Sequence, residues 1–161
     1  MKLRMSACIK ASKEKVWETL SDVTNIDLWV EPISSSHYES DKTSGVGTVR
    51  VCNLKGNITI KEEFIAWQEG ESYTYQAYGA PLIKSAKNRW SIESMNGKTL
   101  LISESEIEIR GGVFGKLLTP LMYLMSKRMG TNSLAAIKYL IETGRPFEGK
   151  VATLPRVPMV C

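Results

Sequence analysis

The feature that most constrains the fold is one long helical segment at the end of a chain that otherwise alternates as strands do. Gly111 to Gly144 has helical periodicity, and the part from Leu117 to Met125 is apolar nearly all round. A helix of that kind is buried on more than one side, or it covers something other than packed side chains. Met122, Met125 and Met129 share one of its faces. Methionine fills irregular cores and also lines adaptable ligand surfaces, so both interpretations stay open.

The rest of the chain is dominated by the period-two alternation of strands. Residues 2–10 alternate between apolar and polar side chains, which indicates a half-buried strand. Ser12 then caps a short helix, and a second short turn follows Thr24 and ends at Pro32. From Ile33 to Arg110, alternating segments are separated by short turns rich in Gly and Asn. Connections this short favour antiparallel neighbours.

This order of elements predicts an α+β fold. We expect a curved antiparallel sheet of about seven strands gripping a long C-terminal helix, with two short helices after the first strand. The long helix is expected from about Pro120 to Thr143, with Pro120 at its start or at a kink, because an interior proline loses a backbone hydrogen bond. The domain then comprises residues 1–144, and the Pro-containing tail 145–161 is expected to be an extended arm or disordered. A cavity between sheet and helix is where a ligand would bind.

Charge and composition exclude several function classes. A net charge of +4 without any basic run predicts no nucleic-acid partner. Residues 1–5 lead into no apolar segment, so no signal peptide is expected, and the apolar stretch near Leu117 is too short to span a bilayer. The glycines of residues 45–47 precede a strand rather than a helix, which argues against a phosphate-binding loop. No cofactor is therefore predicted, and the oligomeric state stays open.

The three cysteines, Cys8, Cys52 and Cys161, are odd in number and far apart. They lack the paired spacing of a zinc site, so neither a disulfide framework nor a metal site is predicted. Reduced thiols and a cytoplasmic location fit this pattern best.

Several segments resemble the START-like helix-grip (SRPBCC) superfamily, and its polyketide cyclase/dehydrase and lipid-transport branch in particular. They extend over residues 1–144 and define a fold without carrying a catalytic signature. The Glu71-Ser72 pair departs from the usual basic pair of this branch. The segments that carry the resemblance are Ala11–Trp17 (ASKEKVW), Trp29 with Gly45–Arg50 (GVGTVR), Glu62–Gly70 with Tyr73 and Tyr75, and Gly111–Leu118 (GGVFGKLL).

Strand parity selects the candidate proton-transfer groups. Glu62 falls on the apolar face of its strand together with Phe64 and Ala66, while Trp67 falls on the opposite face. A carboxylate on an apolar face is either paired with a neighbour or open to a cavity. Glu62 is thus the best acid/base candidate, with a structural role as the alternative. Arg50 is either solvated, as arginine's usual exposure favours, or points into the cavity; the resemblance makes the cavity an equal alternative, so both positions stay open.

The predicted ligand-binding residues come from the same parity argument. Trp90 faces inward on its strand, and Ser103 on the next strand is a small polar group that leaves room for a ligand. Core packing is the alternative for each residue taken singly. The complete predicted lining is Phe64, Tyr75, Trp90, Ser103, Met122, Met125 and Met129.

Two functions from different classes follow. In the first, the protein binds a small hydrophobic ligand such as a lipid, an isoprenoid or an aromatic polyketide-like molecule. In the second, it is a polyketide cyclase/dehydratase-type enzyme in which Glu62, Arg50 and Tyr38 transfer protons. A role for Leu117–Met125 in contacting a membrane surface or a partner protein is a third interpretation.

Overall fold

The computed structural model describes the backbone of residues 1–161 and every side chain except those of Val113, Phe114 and Lys116, three residues of the motif that begins the long helix. Two short 3₁₀ helices, Val23–Leu28 and Val151–Thr153, accompany the main elements. The main elements are β1 (Lys2–Ile9), α1 (Lys13–Ser21), β2 (Ile33–Tyr38), β3 (Val49–Leu54), β4 (Ile58–Gln68), β5 (Ser72–Tyr78), β6 (Ile83–Met95), β7 (Lys98–Ile109) and α2 (Gly112–Thr143).

The strands form one seven-stranded sheet in the order β1-β7-β6-β5-β4-β3-β2, and every neighbouring pair is antiparallel. The α+β prediction is confirmed, including the two short helices after β1. Asn96-Gly97 connects β6 to β7 with a positive φ at both residues, of 52° and 76°, which is the backbone that a tight hairpin requires. The sheet leaves β1 and β2 as its two edges.

The helix α2 begins at Gly112, so the prediction that it starts near Pro120 is wrong, and Pro120 lies inside it. Gly115 explains the early start. A Cβ atom at Gly115 would lie 2.5 Å from the carbonyl oxygen of Arg110, so only glycine lets the helix begin directly beside the end of β7. Gly144 caps the C-terminal end of α2: it has a φ of 74°, and its N–H donates to the carbonyl of Leu140 at 2.8 Å.

The two halves of α2 differ in their packing. The C-terminal half buries Leu134, Ile137 and Ile141 in the main core. The N-terminal half is exposed, with 73% of Leu117 and 65% of Leu124 open to solvent. Among the described residues, no helix is long and apolar enough to cross a membrane. Burial of one half anchors the helix, and the other half extends as an apolar surface.

A β-bulge at Ile65 changes which side chains of β4 face the core. Phe64 pairs with Tyr75 but Ala66 pairs with Thr74, so one residue of β4 has no partner. Ala66 is therefore exposed, and Trp67 turns inward and stacks on Tyr73 with ring centroids 5.5 Å apart. The prediction for this pair is wrong, because strict alternation does not survive an inserted residue.

The C-terminal tail runs back along the edge strand β1. The N–H of Cys8 donates to the carbonyl of Pro158 at 2.8 Å, and the Ser6 hydroxyl donates to the carbonyl of Met159 at 2.6 Å. A disulfide joins Cys8 to Cys161. The tail thus covers part of a sheet edge that would otherwise offer unpaired backbone groups.

The prediction of reduced thiols is wrong for Cys8 and Cys161. The two cysteines are 153 residues apart in sequence, so no rule based on local cysteine spacing could predict that they pair. Only the fold brings the tail back to β1. Cys52 is a free, buried cysteine. Because disulfides persist mainly in oxidising compartments, these two cysteines give the predicted cytoplasmic location no support.

The cysteine arrangement gives a first testable prediction. Replacing Cys161 by serine is expected to lower the free energy of unfolding by about 2–4 kcal/mol, because the crosslink closes a long loop in the unfolded chain. Guanidinium unfolding of the wild type and C161S, each with and without reductant, measures the difference. C161S is also the control, because it has no crosslink to reduce. Reductant should therefore lower the free energy of unfolding of the wild type and leave that of C161S unchanged. Equal stability of the wild type in both conditions would show that the crosslink does not form.

Candidate functional site

Three of the predicted site residues lie side by side on the inner face of the sheet. In the register of β2, β3 and β4, Tyr38 pairs with Arg50 and Arg50 pairs with Glu62. Arg50 is fully buried, and 4% of Glu62 is exposed. Arg50 Nε donates to Glu62 Oε2 at 2.7 Å, its Nη2 donates to the same oxygen, and its Nη1 donates to the carbonyl of Val23. All three nitrogens of the guanidinium therefore have an acceptor.

The surroundings of Arg50 keep its guanidinium charged. Burial by itself would lower the pKa of Arg50, but the facing carboxylate of Glu62 outweighs burial and raises that pKa above the ordinary value. The rings of Phe64 and Tyr75 lie 5.5 and 5.3 Å from the guanidinium carbon, within the range of cation–π contact. Burial, assisted by Glu62, raises the pKa of the Cys52 thiol to about 12, so Cys52 stays protonated and unreactive.

The contacts of Glu62 suit a structural carboxylate. Its Oε2 accepts from Arg50 and lies 3.5 Å from the Cys52 sulfur. Tyr38 is half-buried at the edge of this cluster, where burial and then Asp22 raise its pKa. A proton carrier must reach the reacting atoms of a substrate, and Glu62 faces Arg50 instead.

The predicted lining residues of the sheet form a second contiguous group. Phe64 is cross-strand neighbour to Tyr75, and Trp90 to Ser103; their strands β4, β5, β6 and β7 are adjacent. All four are buried, and the rings of Phe64 and Tyr75 are 5.5 Å apart. Burial also raises the pKa of the Tyr75 hydroxyl well above its ordinary value. These side chains form an aromatic floor on the inner face of the sheet.

The three predicted methionines line a groove rather than this floor. We name it the methionine groove; its volume is about 460 Å³, within the range of small-molecule sites. The middle of α2, from Met122 to Ser133, forms one wall, the segment from Trp29 to Pro32 forms another, and the second 3₁₀ helix contributes Val151. The lining residues are Trp29, Glu31, Pro32, Met122, Met125, Ser126, Arg128, Met129, Asn132, Ser133 and Val151.

Trp29 joins the groove to the aromatic floor. It lines the methionine groove, and its ring packs edge-on against Trp90 with centroids 5.4 Å apart. Its indole N–H donates to Asn25 Oδ1 at 3.1 Å, which holds the ring in place. Sequence reasoning missed Trp29 as a lining residue, although it had placed Trp29 on a short turn. It also missed Val151, for which the tail offers no local signal.

In the part of the chain that the structure describes, no three His, Cys, Asp or Glu side chains converge, so no preassembled metal site lies there. His37, the one histidine of the sequence, is exposed on β2. The arrangement can bury an apolar molecule beside Trp29 and the methionines.

The buried ion pair gives a second prediction. Arg50→Met or Glu62→Leu alone is expected to lower the free energy of unfolding by about 3–5 kcal/mol, because each leaves a buried charge without its partner. The double variant should recover most of that loss, since both charges are then absent. Denaturant titrations of the wild type, the two single variants and the double variant measure the coupling free energy between the two charges.

The matched control is the exposed pair of Lys61 and Glu39 near the same strands. Neutralising either of these residues should change the unfolding free energy by at most about 1 kcal/mol. A double variant as unstable as the sum of the singles would mean that the two charges contribute independently of each other.

The fold has many relatives among solved structures. The crystal structure of Ara h 8.0201 covers 88% of this chain and 97% of its own, with a TM-score of 0.71 and 14% identity. An aromatase/cyclase from Streptomyces sp. R1128 covers 91% and 99%, with a TM-score of 0.70 and 12% identity. A protein from Thermus thermophilus covers 88% and 97%, with a TM-score of 0.71 and 15% identity. At these identities the likeness concerns the fold alone.

Comparison of the sequence itself gives curated relatives and a family. Uncharacterized proteins of Mycobacterium tuberculosis and Mycobacterium bovis are 29% identical to this chain over 75 residues, which is 47% of this chain and 43% of theirs. The match thus spans less than half the length of these curated relatives. The family model described as polyketide cyclase / dehydrase and lipid transport matches residues 1–142. With the helix-grip architecture and this match over nearly the whole domain, the chain belongs to the polyketide cyclase / dehydrase and lipid transport family.

Proposed function

We propose that the protein binds a small hydrophobic molecule in the methionine groove. The observation that carries the proposal is the joint lining by Met122, Met125, Met129 and Trp29 of a groove of about 460 Å³. Thioether side chains adapt to ligands of different shape, and the indole adds a large rigid contact surface. A lipid, an isoprenoid or an aromatic polyketide-like molecule has the required apolar body.

The polar residues of the groove suggest which part of a ligand points outward. Arg128, Asn132 and Ser126 lie on α2 beside the methionines, and Glu31 lies on the opposite wall. A few polar groups in an otherwise apolar site commonly fix ligand orientation. We infer a ligand with an apolar body and one polar end, the body resting against Trp29.

The family supports binding of this kind without naming the ligand. Its description combines polyketide cyclases, dehydrases and lipid transport, and one structural relative is an aromatase/cyclase. Lipids and aromatic polyketides both have an apolar body that a groove of this kind can bury. Fold alone does not choose among them, so the proposal depends on the groove.

Binding of an apolar dye tests the proposal. Met125→Asp should weaken the binding of Nile red about tenfold, because it removes an apolar contact and places a charge in the groove. The side chain is 58% exposed, so the fold should tolerate the change. Bound dye should also quench tryptophan fluorescence, and Trp29→Phe should remove most of that quenching.

Two further variants localise the dye. Leu117→Asp, on an exposed residue of α2 outside the groove, should bind the dye as the wild type does. Ser103→Leu fills space against the aromatic floor and should also leave groove binding intact. Loss of binding in S103L with no effect of M125D would place the ligand against the sheet and contradict the groove proposal.

The alternative is a cyclase/dehydratase-type enzyme that uses Glu62, Arg50 and Tyr38 for proton transfer. The adjacency of these three residues favours it, and the enclosure of Glu62 by Arg50 counts against it. Glu62→Gln separates the two functions. An enzyme should lose turnover by about 100-fold or more while its ligand affinity changes little. The binding proposal expects no turnover in the wild type, and expects E62Q to alter affinity or thermal stability alone.

A further inference from the structure

The exposed half of α2 carries an apolar ridge that is open to solvent among the residues that the structure describes. Leu117, Leu121 and Leu124 follow one another at i, i+4 and i+7, so they form one stripe along the helix. They are 73%, 56% and 65% exposed. Large apolar side chains clustered on a surface mark an interaction site more often than single exposed ones do. We name these three residues the leucine ridge.

The ridge lies between two different grooves. The methionine groove runs along one flank of α2. The other flank borders a second groove, of about 670 Å³, between α2, β1 and the C-terminal tail. Its charged lining residues are all basic, namely Lys2, Arg4, Lys127, Arg128 and Arg156. We name it the basic groove.

The charges of the basic groove are partly free to meet an external anion. Lys2 and Arg4 have partners on β7, at 2.7 Å from Glu106 and 3.7 Å from Glu104. Within the part of the chain that the structure describes, Lys127, Arg128 and Arg156 form no ion pair. The sequence from Gly111 to Ile141 contains no acidic residue at all. The apolar ridge is therefore flanked by unpaired positive charge.

We propose that the leucine ridge and the basic groove dock the protein on an anionic lipid bilayer, with α2 lying in the plane of the interface. An interfacial helix inserts its apolar side chains a short way below the headgroups, while neighbouring Lys and Arg side chains contact lipid phosphates. The combination of exposed leucines and unpaired basic residues fits this surface. A purely apolar partner protein would leave Lys127 and Arg156 without counter-charge; Arg128 borders both grooves.

Co-sedimentation of the full-length oxidised protein with vesicles tests the proposal. We expect binding to vesicles of phosphatidylcholine with phosphatidylserine, weaker binding to phosphatidylcholine alone, and weakening by salt. The triple variant L117S/L121S/L124S should lower the partition coefficient by about tenfold or more, because it removes the inserted apolar area. K127Q and R156Q should each lower it about fivefold on the anionic vesicles and have little effect on the neutral ones.

The matched controls are exposed apolar and basic residues that lie outside the leucine ridge and the basic groove. Val46→Ser with Leu82→Ser removes exposed apolar side chains from loops, and Lys55→Gln with Lys98→Gln removes positive charge from the turn between β3 and β4 and from the exposed first residue of β7. Both control pairs should bind vesicles as the wild type does. Circular dichroism and Nile red binding in solution should be unchanged in the leucine variant, since the ridge lies outside the methionine groove; docking and groove binding can thus fail separately.

Three outcomes would overturn the docking proposal. One is the absence of binding to phosphatidylserine-containing vesicles, and another is an equal loss of binding in the control pairs. The third comes from analytical ultracentrifugation of the protein alone. If the wild type is a dimer that L117S/L121S/L124S converts to monomer, and vesicles do not bind, a second copy of the chain covers the ridge.

Discussion

The buried ion pair of Arg50 and Glu62 is the interaction on which the position of Trp29, beside the methionine groove, depends. A buried guanidinium must have all its donors satisfied, so Arg50 fixes both the carboxylate on β4 and the carbonyl of Val23. Val23 begins the first 3₁₀ helix, and Trp29 directly follows the end of that helix. Because Trp29 is part of a wall of the methionine groove, a buried charge on β3, the strand next to the edge strand β2, helps to determine where that groove lies.

The second constraint is the unequal packing of α2. Beyond Gly130 the helix is held by buried side chains, and Gly130 itself marks the change, since a Cβ atom there would lie 2.1 Å from the terminal carbon of Met5. Tertiary packing supplies most of the stability of a helix in a protein. The buried half therefore anchors the helix, and the exposed half can present large apolar residues without losing its structure. Pro120 lies in this exposed half and is itself exposed, so the backbone hydrogen bond that it removes is far from the buried residues Leu134, Ile137 and Ile141.

The general architecture was predictable from local patterns. Period-two alternation correctly placed Glu62, Trp90 and Ser103 on the inner face, and short Gly- and Asn-containing turns required antiparallel neighbours. The failures share a cause, which is that the deciding contact is distant in sequence. The bulge at Ile65 reverses Trp67, and the disulfide of Cys8 joins residues at opposite ends of the chain. Alternation left the direction of Arg50 open, because burying its charge depends on a carboxylate from the next strand.

The segment Leu117–Met125 is apolar nearly all round because its faces border different surroundings. A helix that is apolar all round ordinarily lies inside a protein, yet here the chain covers only part of its circumference. Met122 and Met125 face a groove that a small molecule can fill, whereas the leucine ridge faces outward and lines no part of that groove. A ligand in the groove would bury the methionines and leave the leucines in water. The two surfaces thus differ in chemistry, because Lys127 and Arg156, which form no ion pair among the residues that the structure describes, lie beside the ridge and line no part of the methionine groove.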